Sequence, residues 1–91
     1  MPLTRDRIVR YDAARMMFRF TMLNQGESIE CEISSAALDA IASEKGRVFA
    51  TKEEQFLSKR IEIELLASSI FDHGTTVRGE VVRIFAKHIR R

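Results

Sequence analysis

The 91-residue sequence predicts an α+β fold, an antiparallel β-sheet packed on one face by two helices in the order ββααβ. Three observations predict it. Apolar residues alternate on both sides of "NQGE" at residues 24–27, the period of a hairpin. Two later stretches each open on a hydroxyl residue suited to capping a helix and continue at helical spacing. The last segment turns back to β-branched residues around Val81, Val82 and Ile84.

Before the hairpin there is room for a short strand at residues 8–10. In residues 16–23, Met16, Phe18, Phe20 and Met22 alternate with Met17, Arg19, Thr21 and Leu23, while Ile29, Cys31 and Ile33 alternate with Ser28, Glu30 and Glu32. If Leu23 faces Ser28, then Phe20 meets Cys31, Met22 meets Ile29 and Phe18 meets Ile33, so the apolar pairs share one face. The same register sets Arg19 opposite Glu32 and Thr21 opposite Glu30 on the other face, pairings worth roughly 0.2–1 kcal/mol each. That outer face, with Met17 and Leu23 at its margins, is expected to stay at least partly open.

Ser34 or Ser35 caps a first helix over residues 36–45, with Gly46 in the C′ place. Thr51 caps a second, Glu54 reaching back to it, that runs to about residue 72 and ends at His73-Gly74. The closing segment is ambiguous, because Glu80, Arg83, Lys87 and Arg90 recur at helical spacing within a β-branched run.

The second helix carries Arg60 within the arc of Phe56, Ile63 and Ala67, while Gln55, Ser58, Glu62 and Ser69 make a narrow polar side. The helix is therefore expected to be buried over most of its circumference. An unpaired guanidinium there costs several kcal/mol, so an acceptor must be close. Glu64 stands one turn on, and Asp12 can fold across. Three readings stay open: a structural clasp made with a carboxylate or backbone carbonyls, a pocket in which Arg60 meets an anionic ligand or a partner's carboxylate, and a rotated or broken helix that leaves Arg60 exposed.

Fifteen basic and thirteen acidic residues leave a net charge of +2, which names no partner. The distribution is uneven. Arg5, Arg7, Arg10, Arg15 and Arg19 crowd the first twenty residues, and Arg78, Arg83, Lys87, Arg90 and Arg91 crowd the tail. Internal pairing is the ordinary outcome. If the tail residues and His88 share a face with the N-terminal arginines, they form a basic patch for nucleic-acid phosphates, with Phe85 the aromatic nearby.

The short catalytic signatures are absent: no glycine-rich phosphate loop, no H-E-x-x-H, no G-x-S-x-G and no C-x-x-C. Cys31 is the single cysteine, on the inward face of its strand, and it reads as a small hydrophobe in a reducing compartment. Neither histidine has a second ligand at metal spacing, so no metal or other cofactor is expected. The N-terminus lacks the apolar run of a signal peptide and no stretch approaches the ~20 residues of a membrane span, which points to the cytoplasm.

Tyr11-Asp12, "FRF" at residues 18–20, "IECEIS" at 29–34, Ala37-Leu38, and Phe56, Arg60, Ile63 and Ala67 form a long, diffuse motif. In these residues the chain resembles domain-of-unknown-function family 1488, small bacterial proteins with no assigned activity. The resemblance implies an α+β fold in which the final segment returns to the sheet as a strand, Gly79 serving as a bulge or kink. It implies no activity, and the tail "KHIRR" stands outside the pattern. The sequence thus predicts one small domain over residues 1–91 without catalysis, a protein-interaction or regulatory module, self-association included. Weak nucleic-acid binding through the basic termini and binding of a small anion near Arg60 are the alternatives.

Overall fold

Alternation built the central hairpin, and the rest of the chain wraps its apolar face. The computed structural model describes residues 3–42, 48–73 and 81–89. Within them lie strands β1 (Thr4–Asp12), β2 (Met17–Asn24) and β3 (Glu27–Ser34), helices α1 (Ser35–Ile41), α2 (Lys52–Ser58) and α3 (Arg60–Asp72), strand β4 (Val82–Ile84) and a 3₁₀ turn, Ala86–His88. The four strands form one sheet in the order β1-β2-β3-β4. Phe18, Phe20, Met22, Cys31, Ile33, Val82 and Ile84 pack from the sheet against Ala37, Leu38, Ile41, Phe56, Ile63 and Ala67 of the helices.

β2 and β3 pair antiparallel with Leu23 opposite Ser28, Phe20 opposite Cys31 and Arg19 opposite Glu32, the register expected from alternation. Pairing continues one step further, Asn24 to Glu27, leaving a two-residue turn. Both turn residues have positive φ, 51° at Gln25 and 85° at Gly26, as a type I′ turn requires. Glycine meets that demand without strain, whereas glutamine does not. Gln25→Asn is therefore expected to stabilise the protein by about 0.5 kcal/mol in urea denaturation, since asparagine tolerates the left-handed region best among residues with a side chain.

The N-terminal strand is nine residues long rather than three. Its register against β2 slips twice, between Arg5 and Ile8 and between Ile8 and Arg10, each slip adding one residue on β1. The core-facing Ile8 and Tyr11 consequently lie three apart, which hid the strand from a search for period two. Leu3 extends the wrap, its amide donating to Ser68 Oγ at 3.0 Å.

Two further expectations need correction. β4 runs parallel to β3, Cys31 facing Val82 and Ile33 facing Ile84, so the sheet is mixed and the order is βββαααβ. A parallel neighbour requires a crossover, and the three helices supply it. Of the last segment, the strand reading holds in its described residues, Val82–Ile84 returning to the sheet before one 3₁₀ turn. Finally, the long second helix is broken at Lys59 (φ −128°, ψ 23°). The Ser58 hydroxyl donates to the Gln55 carbonyl at 2.7 Å and the Lys59 amide turns to the Phe56 carbonyl, so the ladder tightens and stops.

The caps follow the hydroxyls: Ser34 Oγ accepts the amide of Ala37, and Thr51 Oγ1 that of Glu54, each at 3.0 Å. The continuation of the first helix to residue 45 with Gly46, and the places of Gly74 and Gly79, lie outside the described residues.

Candidate functional site

Arg60 opens α3, and its guanidinium carbon lies over the Phe56 ring, 5.9 Å from the ring centroid. Its Nε donates to Glu64 Oε2 at 3.1 Å. The same carboxylate receives Arg5 from β1, whose Nε and Nη2 lie 2.8–3.0 Å from its oxygens. Hydrogen bonding to Glu64 raises the Arg5 guanidinium above its ordinary range. Arg5–Glu64–Arg60 thus ties the first strand to the third helix. Asp12 takes no part in this group: it lies at the far end of β1, about 20 Å along an extended strand from Arg5, and it accepts the Arg15 amide at 3.3 Å.

The helix pair is less buried than its sequence implied. Gln55, assigned to the polar side, is buried and donates to Asp39 of α1 at 2.9 Å. Leu57, Ile61 and Leu65 are 47%, 69% and 64% exposed. The break at Lys59 and the single apolar face of the sheet allow only one side of α3 to sink in, leaving these three aliphatics outside. A shallow groove of about 540 Å³ runs here, past Arg5, Leu57, Lys59, Arg60 and Ile61.

A second charged group stands on the other side of the sheet. Glu32, in mid-strand on β3, is buried, its side chain 3% exposed. Arg15, from the turn between β1 and β2, grips it with both terminal nitrogens, Nη1 to Oε1 and Nη2 to Oε2, the latter at 3.0 Å. Arg83 of β4 adds Nε to Oε2 at 3.3 Å, and Arg19 stands further off at 3.9 Å. Hydrogen bonding to Glu32, and then its charge, raise the Arg15 guanidinium above its ordinary range. Arg19 lies 3.6 Å from Glu30 as well. Beside this group Thr21, also buried, donates to Asp6 Oδ2 at 2.7 Å.

The outer face is therefore more covered than expected, for Met17, Thr21 and Glu32 are all buried. Arginine stems reaching in from both neighbouring elements lie across it. The cross-strand assignment of Glu32 to Arg19 describes the register but not the main ion pair, which is made by Arg15.

This geometry is carried by a chain whose residues 5–89 match the family model described as Protein of unknown function (DUF1488). The chain belongs to the DUF1488 family. A crystal structure at 1.60 Å of a protein of unknown function from that family, from Shewanella loihica PV-4, is similar to it in fold. The two share 21% identity, with a TM-score of 0.69 over 91% of this chain and 89% of that one. Among curated proteins nothing matches. The family carries no assigned activity, so the chemistry of this DUF1488 protein has to be read from its own side chains.

Among the described residues, the tail residues grouped by sequence lie on two surfaces. Arg83 turns to the outer face of the sheet, whereas Lys87 and His88 line a groove of about 800 Å³ on the helix side, with Ile41, Leu66, Ile70 and Ile89. Arg78, Arg90 and Arg91 lie outside the described residues. What the structure does bring together is Arg83 with Arg15 and Arg19. The signal for that was the parity of Arg83 between Val82 and Ile84, which places it opposite to the core.

Cys31 is buried, and the loss of water pushes its thiol up to about 12, too high for a nucleophile near neutral pH. His73 lies 2.6 Å from the Ser69 carbonyl at the end of α3. Among the described residues no group of three or more His, Cys, Asp or Glu side chains is gathered to hold a metal ion, and no helix is long and apolar enough to cross a membrane.

Proposed function

We propose that this is a small, non-catalytic bacterial interaction module that pairs with a second copy of itself through the outward side of α2 and α3. The observation that carries the reading is Leu57 near the end of α2 with Ile61 and Leu65, one turn apart, on α3, each about half exposed or more. Single exposed aliphatics are ordinary, but three on one charged helix pair favour burial by a partner.

A second copy suits these three because their surroundings are electrically self-complementary. Arg5, Lys59 and Arg60 stand against Glu54, Glu62 and Glu64, so two copies approach without net repulsion, while a strongly basic or acidic partner meets no opposing field. An antiparallel crossing at Ile61 sets Leu57 against Leu65 of the partner subunit and Arg60 beside Glu64 of the partner subunit. The sheet edges favour pairing less: β1 carries two register slips and three arginines, and β4 is three residues long. For Arg60 the clasp is the better supported role, since its nearest carboxylate is already in place. A single cysteine, lacking a second for a disulfide, suits a reducing cytoplasm.

Sedimentation velocity at low and high protein concentration tests this. The wild type is expected to move from monomer to dimer as concentration rises, and L57S/I61S/L65S to remain monomeric with an unchanged melting temperature. A wild type that stays monomeric throughout, or a variant that dimerises equally well, refutes it.

A further inference from the structure

We propose that the arginine cluster above Glu32 is a binding site for a phosphate group, carried either by a free nucleotide or by a single-stranded nucleic acid. The site is independent of the helix surface proposed for self-association, on the opposite side of the sheet.

Three guanidiniums from three separate stretches of chain converge on one buried carboxylate: Arg15 from a turn, Arg19 from β2 and Arg83 from β4. Together they offer about fifteen N–H donors, and a carboxylate accepts about four. Most donors are therefore left over. They are also reachable, for the Arg15 and Arg83 side chains are each 47% exposed and that of Arg19 is 32% exposed.

Arg10 of β1 faces Arg19 directly in the register, so four guanidiniums share this surface with four acids, Glu32, the exposed Glu30, Asp12 and Asp6. Glu32 lies among the guanidiniums and Glu30 stands 3.6 Å from Arg19 at the rim, whereas Asp12 accepts the Arg15 amide and Asp6 the Thr21 hydroxyl. Glu32 thus acts as an internal spacer. It holds the arginines around a common centre without neutralising them, and a tetrahedral dianion accepts paired N–H groups from two of them at once.

The test is fluorescence anisotropy of a labelled single-stranded oligonucleotide, with calorimetric titrations of ATP and inorganic pyrophosphate, on wild type and R19Q/R83Q. The wild type is expected to bind at low salt. R19Q/R83Q should weaken binding at least tenfold without lowering the melting temperature, and flatten the oligonucleotide's log–log salt slope by about 1.4 for two lost contacts. Binding of pyrophosphate or ATP alone assigns the phosphate to a free ligand, and salt-dependent binding of the oligonucleotide alone assigns it to nucleic acid. Should the double variant melt early, R83Q on the three-residue edge strand carries the same prediction with half the slope change. The proposal is overturned if the wild type binds none of the three probes at low salt, or if removing the arginines leaves binding unchanged.

Discussion

Phe56→Ala is expected to destabilise the protein by about 4 kcal/mol, the range for truncating a buried aromatic side chain. The ring is fully buried and stacks on Phe18 at 4.7 Å between centroids, with planes 20° apart, and meets Phe20 at 5.0 Å with the planes tilted by 51°. It is the point where α2 is fastened to β2, and the Arg60 guanidinium lies over it. Removing it forfeits the transfer energy of the ring, two aromatic contacts of about 0.5–1.5 kcal/mol each, and the filling of the space left behind. In a domain whose whole stability is on the order of 5–15 kcal/mol, that lowers the melting temperature by about 20 °C. Urea denaturation read by circular dichroism gives the number. A loss below about 1.5 kcal/mol, the range of a volume-conserving swap, means that the stack does not fasten the helix.

Glu32→Gln is expected to cost about 2 kcal/mol, less than the 3–5 kcal/mol typical of breaking a fully buried pair. The amide keeps the carboxylate's shape but removes its charge and turns an NH₂ toward guanidinium donors. The arginines, being half exposed, swing toward water and recover part of the loss. Glu30→Gln provides the contrast, since that side chain is 61% exposed and its ion pair with Arg19 is worth under about 1 kcal/mol. Equal losses in the two variants would show that Glu32 holds nothing that an exposed carboxylate does not.

How much of this was legible beforehand varies by element. The hairpin was readable to the residue, because strict alternation admits only one register that puts Phe18, Phe20 and Met22 on the side of Cys31 and Ile33. The caps at Ser34 and Thr51 were readable as well, since each hydroxyl acts on an amide three residues away. The full length of β1 was not, for two inserted residues spoil its period. Nor was the break at Lys59, where a hydroxyl of Ser58 competes with the helix ladder only once the neighbouring backbone is in place. At the charged groups, the Arg60–Glu64 pair could be read at one turn's spacing, whereas Arg5 joins it from 59 residues away.

Local chemistry therefore determined the α+β class, the hairpin, the capped helix starts, the inward cysteine and the need to pair Arg60. Contacts between distant segments decided the rest: the parallel return of β4, the exposure of Leu57, Ile61 and Leu65, and the gathering of Arg15, Arg19 and Arg83 over Glu32. The division has a physical cause. Periodicity and capping act over a few residues and leave their mark in the order of the chain. Which face is covered, and which charges meet, is set by how whole elements stack, so the same arginine is a solvated side chain or part of a cluster according to what packs beside it.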